Sequence, residues 1–165
     1  MVLTKAELIQ QLQHEVHILL HLASKVDRSK LDYRPTATQR STLELLQYMS
    51  FMGPEIVKSI KGGAFDTVSW TTAEEAAFAR DFDQTLTAIA TQKDFYAREV
   101  GSLSDADLRE DIEMFGQKSS RGSALVNMLL GGCAAYRTQL FCYLKSCGRE
   151  ELNTLNLWAG VDGKM

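Results

Sequence analysis

At three places in this chain of 165 residues a Ser or Thr followed three positions later by Glu stands just ahead of a long periodic apolar run. The pairs are Thr4–Glu7, Ser41–Glu44 and Thr72–Glu75. In such a capping box the hydroxyl accepts a backbone N–H of the first turn, and the carboxylate reaches back to the N–H of the cap residue. Two of the orphan donors at a helix start are satisfied together. Each box therefore reads as a helix N-terminus and predicts helices over 4–25, 41–62 and 72–100. A fourth run begins at Ser120 or Ser123 and reaches Ser146, before Cys147 and Gly148. The Lys61-Gly62-Gly63 sequence stops the second helix, because glycine tolerates positive φ at a C-terminus. Pro35 keeps its predecessor Arg34 out of helix, and Pro54 predicts a kink inside the second helix.

Phe82, Leu86, Ile89, Tyr96 and Val100 form a bundle seam on the third helix, with Lys93 at the missing step. Between the third and fourth helices, Ser104 caps a short turn, and an irregular excursion or small hairpin follows around Gly116 to Ser119. The tail REELNTLNLWAGVDGKM is expected to wrap loosely, docking through Leu155, Leu157 and Trp158. The fold class this predicts is all-α: an up-down four-helix bundle, one domain over 1–165.

Composition narrows the functional classes. The formal net charge is -3 and no basic run occurs, which argues against nucleic acid as a partner. No apolar run approaches the roughly 18 residues of a membrane span, and the opening MVLTKAELIQQLQ lacks the apolar stretch of a signal peptide. A cytoplasmic protein is expected. Cys133, Cys142 and Cys147 are odd in number and match no zinc-ribbon or C-x-x-C spacing. They read as reduced, buried thiols.

All histidines of the chain, His14, His17 and His21, lie in HEVHILLH, residues 14–21. At about 100° per residue they make one stripe, nearly opposite Leu8, Leu12, Leu19, Ala23 and Val26. That stripe faces solvent, the tail or a second subunit, and Ile18 and Leu22 at its edge favour a partner surface over open water. His17 and His21 could bind a transition metal through two imidazoles, but no Asp or Glu on that stripe offers a further ligand. A surface or interface that responds to pH is the plainer reading.

Three segments carry a further signal. Residues 31–51, LDYRPTATQRSTLELLQYMSF, hold an L-x-x-R-P loop and a Ser-capped helix with a Leu-Leu pair. Residues 102–108 are SLSDADL, and residues 131–148 are GGCAAYRTQLFCYLKSCG. Together they resemble the DinB/YfiT family of metal-binding four-helix bundles. The resemblance implies a homodimer and a divalent metal held by one histidine on the second helix and two on the fourth. In relatives it implies thiol transfer, isomerisation or hydrolysis.

Matched residue by residue, the three ligand positions are Tyr48, Gly132 and Tyr136. Glycine has no donor side chain, and a phenol binds metal well only after losing a proton near pKa 10. No metal is therefore expected at these positions, and no cofactor. Zinc or nickel on relocated ligands, His17 and His21, is the alternative.

The wheel of the fourth helix turns Leu125, Leu129, Gly132, Cys133, Tyr136, Leu140 and Cys147 inward. Gly131 and Gly132 mark the expected point of closest helix packing. Tyr48, Tyr136 and Cys133 are the candidate lining of a small-ligand cleft between the second and fourth helices. Arg137 and Gln139 match the family's Arg-x-Gln and read as surface hydrogen-bonding residues, while Asp32, Arg34 and Arg40 read as ties between the loop and the helix ends.

Three functions stay open. The chain is a metal-free ligand-binding or structural dimeric relative, a metal-dependent hydrolase or thiol S-transferase on relocated ligands, or an interaction module acting through the histidine face.

Overall fold

The computed structural model describes residues 3–164. The main helices are α1 (Lys5–Ala23), α2 (Thr42–Gly62), α3 (Thr67–Phe78) and α4 (Phe82–Gly101). A short α5 (Asp105–Arg109) leads into a hairpin of β1 (Asp111–Met114) and β2 (Gln117–Ser120). A continuous helical rod then runs through α6 (Arg121–Ala124), a π-type stretch Leu125–Leu130 and α7 (Gly131–Ser146). The tail carries α8 (Thr154–Trp158).

The boxes at Thr4–Glu7 and Ser41–Glu44 form as expected, and so does the cap at Ser104. Gly63 ends α2 with φ of 85°. The box at Thr72–Glu75 does not form. Residues 67–101 split into two helices, and the cap before the long one is Asp81, paired with Gln84. Thr72 sits inside α3 and donates from its hydroxyl to the Val68 carbonyl. The break is capped locally by Asp81 and is also tied to a neighbouring helix. Buried Gln47 of α2 donates to the carbonyls of Phe78 and Arg80 at 3.3 and 2.7 Å, holding the break open.

That extra helix changes the chain's course. Gln13 bonds the Lys93 carbonyl and Lys5 bonds the Gly101 carbonyl, so α1 and α4 are antiparallel. Ser69 of α3 meets Glu55 and Phe78 meets Gln47, so α3 climbs back along α2. Gln92 then bonds the Met49 carbonyl and Glu99 pairs with Lys61, making α4 parallel to α2. Tyr143 reaches Arg40 and Arg121 reaches Ile60, so the last rod runs antiparallel to α2. The all-α bundle thus has the order up, down, down, up, with α3 as the crossover.

Leu12, Ile18, Leu22, Leu45, Ile89, Leu125, Leu129 and Leu140 are fully buried at the centre. Gln92, not Lys93, fills the missing seam step on α4: Gln92 is buried, whereas Lys93 is half-exposed. The hairpin closes one end. Phe115 and Gly116 both have positive φ, 52° and 72°, as a tight two-residue turn requires. Its inward residues Ile112 and Met114 cover the core. The closest helix approach is at Gly53, where a Cβ would meet the Tyr96 hydroxyl at 1.9 Å. It is not at Gly131 or Gly132: Gly131 is exposed, and a Cβ on Gly132 would meet only the Met52 methyl, at 3.8 Å. Among the described residues no helix is long and apolar enough to cross a membrane.

Candidate functional site

Antiparallel α2 and α7 bring the three positions matched to metal ligands into one place. Tyr48 and Tyr136 meet edge to face with ring centroids 4.9 Å apart. The Tyr136 hydroxyl donates to the Tyr48 oxygen at 3.5 Å. Gly132, one turn before Tyr136, lies against Met52, one turn after Tyr48. Tyr48 is 9% exposed, while Tyr136 and Gly132 are half-buried, so the site opens on the α7 side.

Aromatic rings continue from there. Tyr48 contacts Phe51 at 5.5 Å and Trp70 at 6.2 Å, and Trp70 leads on to Phe65 and Phe115. The Arg40 guanidinium lies 3.8 Å from the centre of the Tyr48 ring, a cation–π contact. Burial and the neighbouring Tyr136 hydroxyl push the Tyr48 phenol well above its ordinary range, so it stays protonated.

Cys133 does not join this group. Its thiol points into the bundle beside the Tyr96 hydroxyl, which donates to Gln92 Oε1 at 3.0 Å. Desolvation pushes that thiol up to about 12, so it is no nucleophile near neutral pH. The expectation of three buried cysteines holds only for Cys133; Cys142 is exposed and Cys147 half-exposed, and all are free.

Arg137 is likewise not a surface residue. It is buried, bonded to Glu15 of α1 and the Leu157 carbonyl of α8, with its guanidinium 5.3 Å from the Trp158 ring centre. Gln139 donates to the Tyr143 hydroxyl at 2.6 Å. Arg34 does tie the loop down, pairing with Glu44 at 3.1 Å. Arg40 instead stacks on Tyr48.

The histidine stripe faces the tail. His14 Nε2–H donates to the Trp158 carbonyl at 3.0 Å. Gly160, with φ of 65°, presses so close that a Cβ there would meet the His17 ring at 2.8 Å. Asn156 Nδ2 donates to His21 Nε2 and to Asp162, each at 3.0 Å. This cover is why Ile18 and Leu22, expected at the stripe's edge, are fully buried. The tail docks through buried Leu152 and Asn156, whereas Leu155 and Leu157 are half-buried and Trp158 is 65% exposed. Among the described residues no three His, Cys, Asp or Glu side chains gather closely enough to hold a metal.

Sequence reasoning missed Arg40 and Trp70 as site residues, and Glu15 and Asn156 as buried partners. Only the position of Arg40 directly before the Ser41 cap placed it at the mouth of α2 in advance.

No family model matches the sequence, and no curated protein matches it. Among solved structures, the chain is similar to the DinB-like protein YjoA of Bacillus subtilis. The identity is 20% and the TM-score 0.67, over 88% of this chain and 94% of that one. That likeness establishes a DinB-like fold.

Proposed function

We propose that this DinB-like bundle binds a small molecule between α2 and α7, at Tyr48, Gly132 and Tyr136, without a metal at those positions. The observation that supports the reading is their convergence. Two phenols and a glycine meet where the sequence resemblance implies three histidines, on a side of the bundle where Tyr136 is half-buried. Neutral phenols offer hydrogen bonds and aromatic faces, which suit an organic ligand better than zinc or nickel. A homodimer belongs to the same proposal, and sedimentation is expected to give twice the chain mass.

The rival reading places a metal on His17 and His21 for hydrolysis or thiol transfer. Asp162, 3.6 Å from His21, is the acidic group nearest that pair on the tail. Metal analysis of protein purified without a tag or added metal separates the two. The proposal expects metal well below one per chain. Stoichiometric zinc or nickel that disappears in His17→Ala/His21→Ala would overturn it. The third reading, an interface on the histidine face, has exposed His17 to work with, because the tail engages His14 and His21.

A further inference from the structure

We propose that the α2–α7 site takes a small aromatic carboxylate, anchored by Arg40 and the Tyr48 hydroxyl. This rests on the ligand-binding reading above and adds the chemical class.

Arg40 carries the argument. Its main chain is fixed, because the Tyr143 hydroxyl donates to its carbonyl at 3.0 Å. Its guanidinium carbon lies 3.8 Å from the centre of the Tyr48 ring, and the residue is half-buried. Arg28, Arg34, Arg121 and Arg137 each pair with a carboxylate. Arg40 makes no ion pair among the described residues. A held, partly desolvated guanidinium presents a planar fork of donors that matches a carboxylate.

The tyrosines add a directed donor. The Tyr136 proton is given to the Tyr48 oxygen, and the Tyr48 proton has no acceptor among the described residues. It is left for a ligand oxygen close to the guanidinium.

The walls select an aromatic body. Tyr136 and Trp70 pack on Tyr48 from two sides and are themselves only half-buried, so they leave aromatic surface against which a ligand ring can pack. Gly132 and exposed Ala135 keep the α7 rim low beside Tyr136.

The experiment titrates benzoate, benzyl alcohol and acetate into the full chain, followed by NMR shifts of the tyrosine and tryptophan rings. Benzoate is expected to bind, with the neutral and the non-aromatic probe each about tenfold weaker or worse. Arg40→Gln is expected to remove that preference without lowering the melting temperature, and Arg40→Lys to restore it in part. Benzyl alcohol binding as well as benzoate, unchanged in Arg40→Gln, would overturn the anion assignment and leave the ligand-binding reading standing. Benzoate binding insensitive to both Arg40→Gln and Tyr136→Ala would overturn it by placing the probe elsewhere. No binding by any probe would overturn it too, and the metal content then decides the reading beneath.

Discussion

Adjacent residues on α7 look into opposite environments. Gly132 and Tyr136 face α2 across a half-open aromatic site, while Cys133 and Arg137, one position on, are sealed between α1, α4 and the tail. A rotation of about 100° separates them. On the closed side every polar group is spoken for: Arg137 by Glu15 and the Leu157 carbonyl, Tyr96 by Gln92, and Gln92 by the Met49 carbonyl. On the open side Arg40 and the Tyr48 proton remain without partners among the described residues. Satisfied polar groups hold a fold together; unsatisfied ones at a surface are free to recognise something else.

The sharpest way to break this contrast is Arg137→Ala. It leaves Glu15 buried with no cation, and a loss of about 3 kcal/mol is expected in denaturant unfolding. A loss below about 1 kcal/mol, the range of exposed pairs, would mean that the tail opens readily and the closed side is not closed. Gly53→Ala comes next. Its Cβ would collide with the Tyr96 hydroxyl at 1.9 Å, and that ring is held by Gln92. About 2 kcal/mol is expected from this overpacking, read as a lower melting temperature, with Tyr96→Phe/Gly53→Ala recovering part of it.

On the open side, Tyr136→Phe removes only a long 3.5 Å hydrogen bond from a half-buried group. A change within about 0.5 kcal/mol is expected. A penalty comparable to that of Arg137→Ala would make the tyrosine pair structural and remove the distinction.

The smallest effect concerns the edge of the closed side. Burial, Lys25 and His17 lower the His21 pKa below 6.5, against an opposing pull from Asp162. The Asn156 amide donates to His21 Nε2, which must then be unprotonated. A base with a depressed folded-state pKa keeps its full stabilising contribution above the unfolded value and loses it as pH falls below. The melting temperature is therefore expected to be level above pH 6.5 with respect to this group, and to decline on acidification. His21→Gln should flatten that part of the profile.

Much of this architecture was legible in residue order. The helix starts at Thr4, Ser41 and Ser104 and the stop at Gly63 are interactions between residues within one turn, so local sequence contains all the partners. The meeting of Tyr48, Gly132 and Tyr136 came from matching loop and helix positions to a resembling family, and the antiparallel α2–α7 pair delivers it. The Thr72 box failed although its spacing was correct. The competing box at Asp81 and Gln84 forms instead, and Gln47, more than 30 positions away in sequence, bonds the carbonyls at the break. Arg137 looked like a surface residue on the wheel of its own helix. It is buried because α1 and the tail close over it.

The amino-acid order by itself determined an all-α bundle, the ends of most helices and the absence of histidine from the matched ligand positions. These follow from short-range hydrogen bonding, apolar periodicity and side-chain chemistry. Only the tertiary structure decided that α4 runs parallel to α2, that the tail packs on His14 and His21, and that Arg40 rests on Tyr48. Each of those depends on contacts between residues distant in sequence. Their pairing is set by which arrangement buries the apolar faces while leaving buried polar groups satisfied.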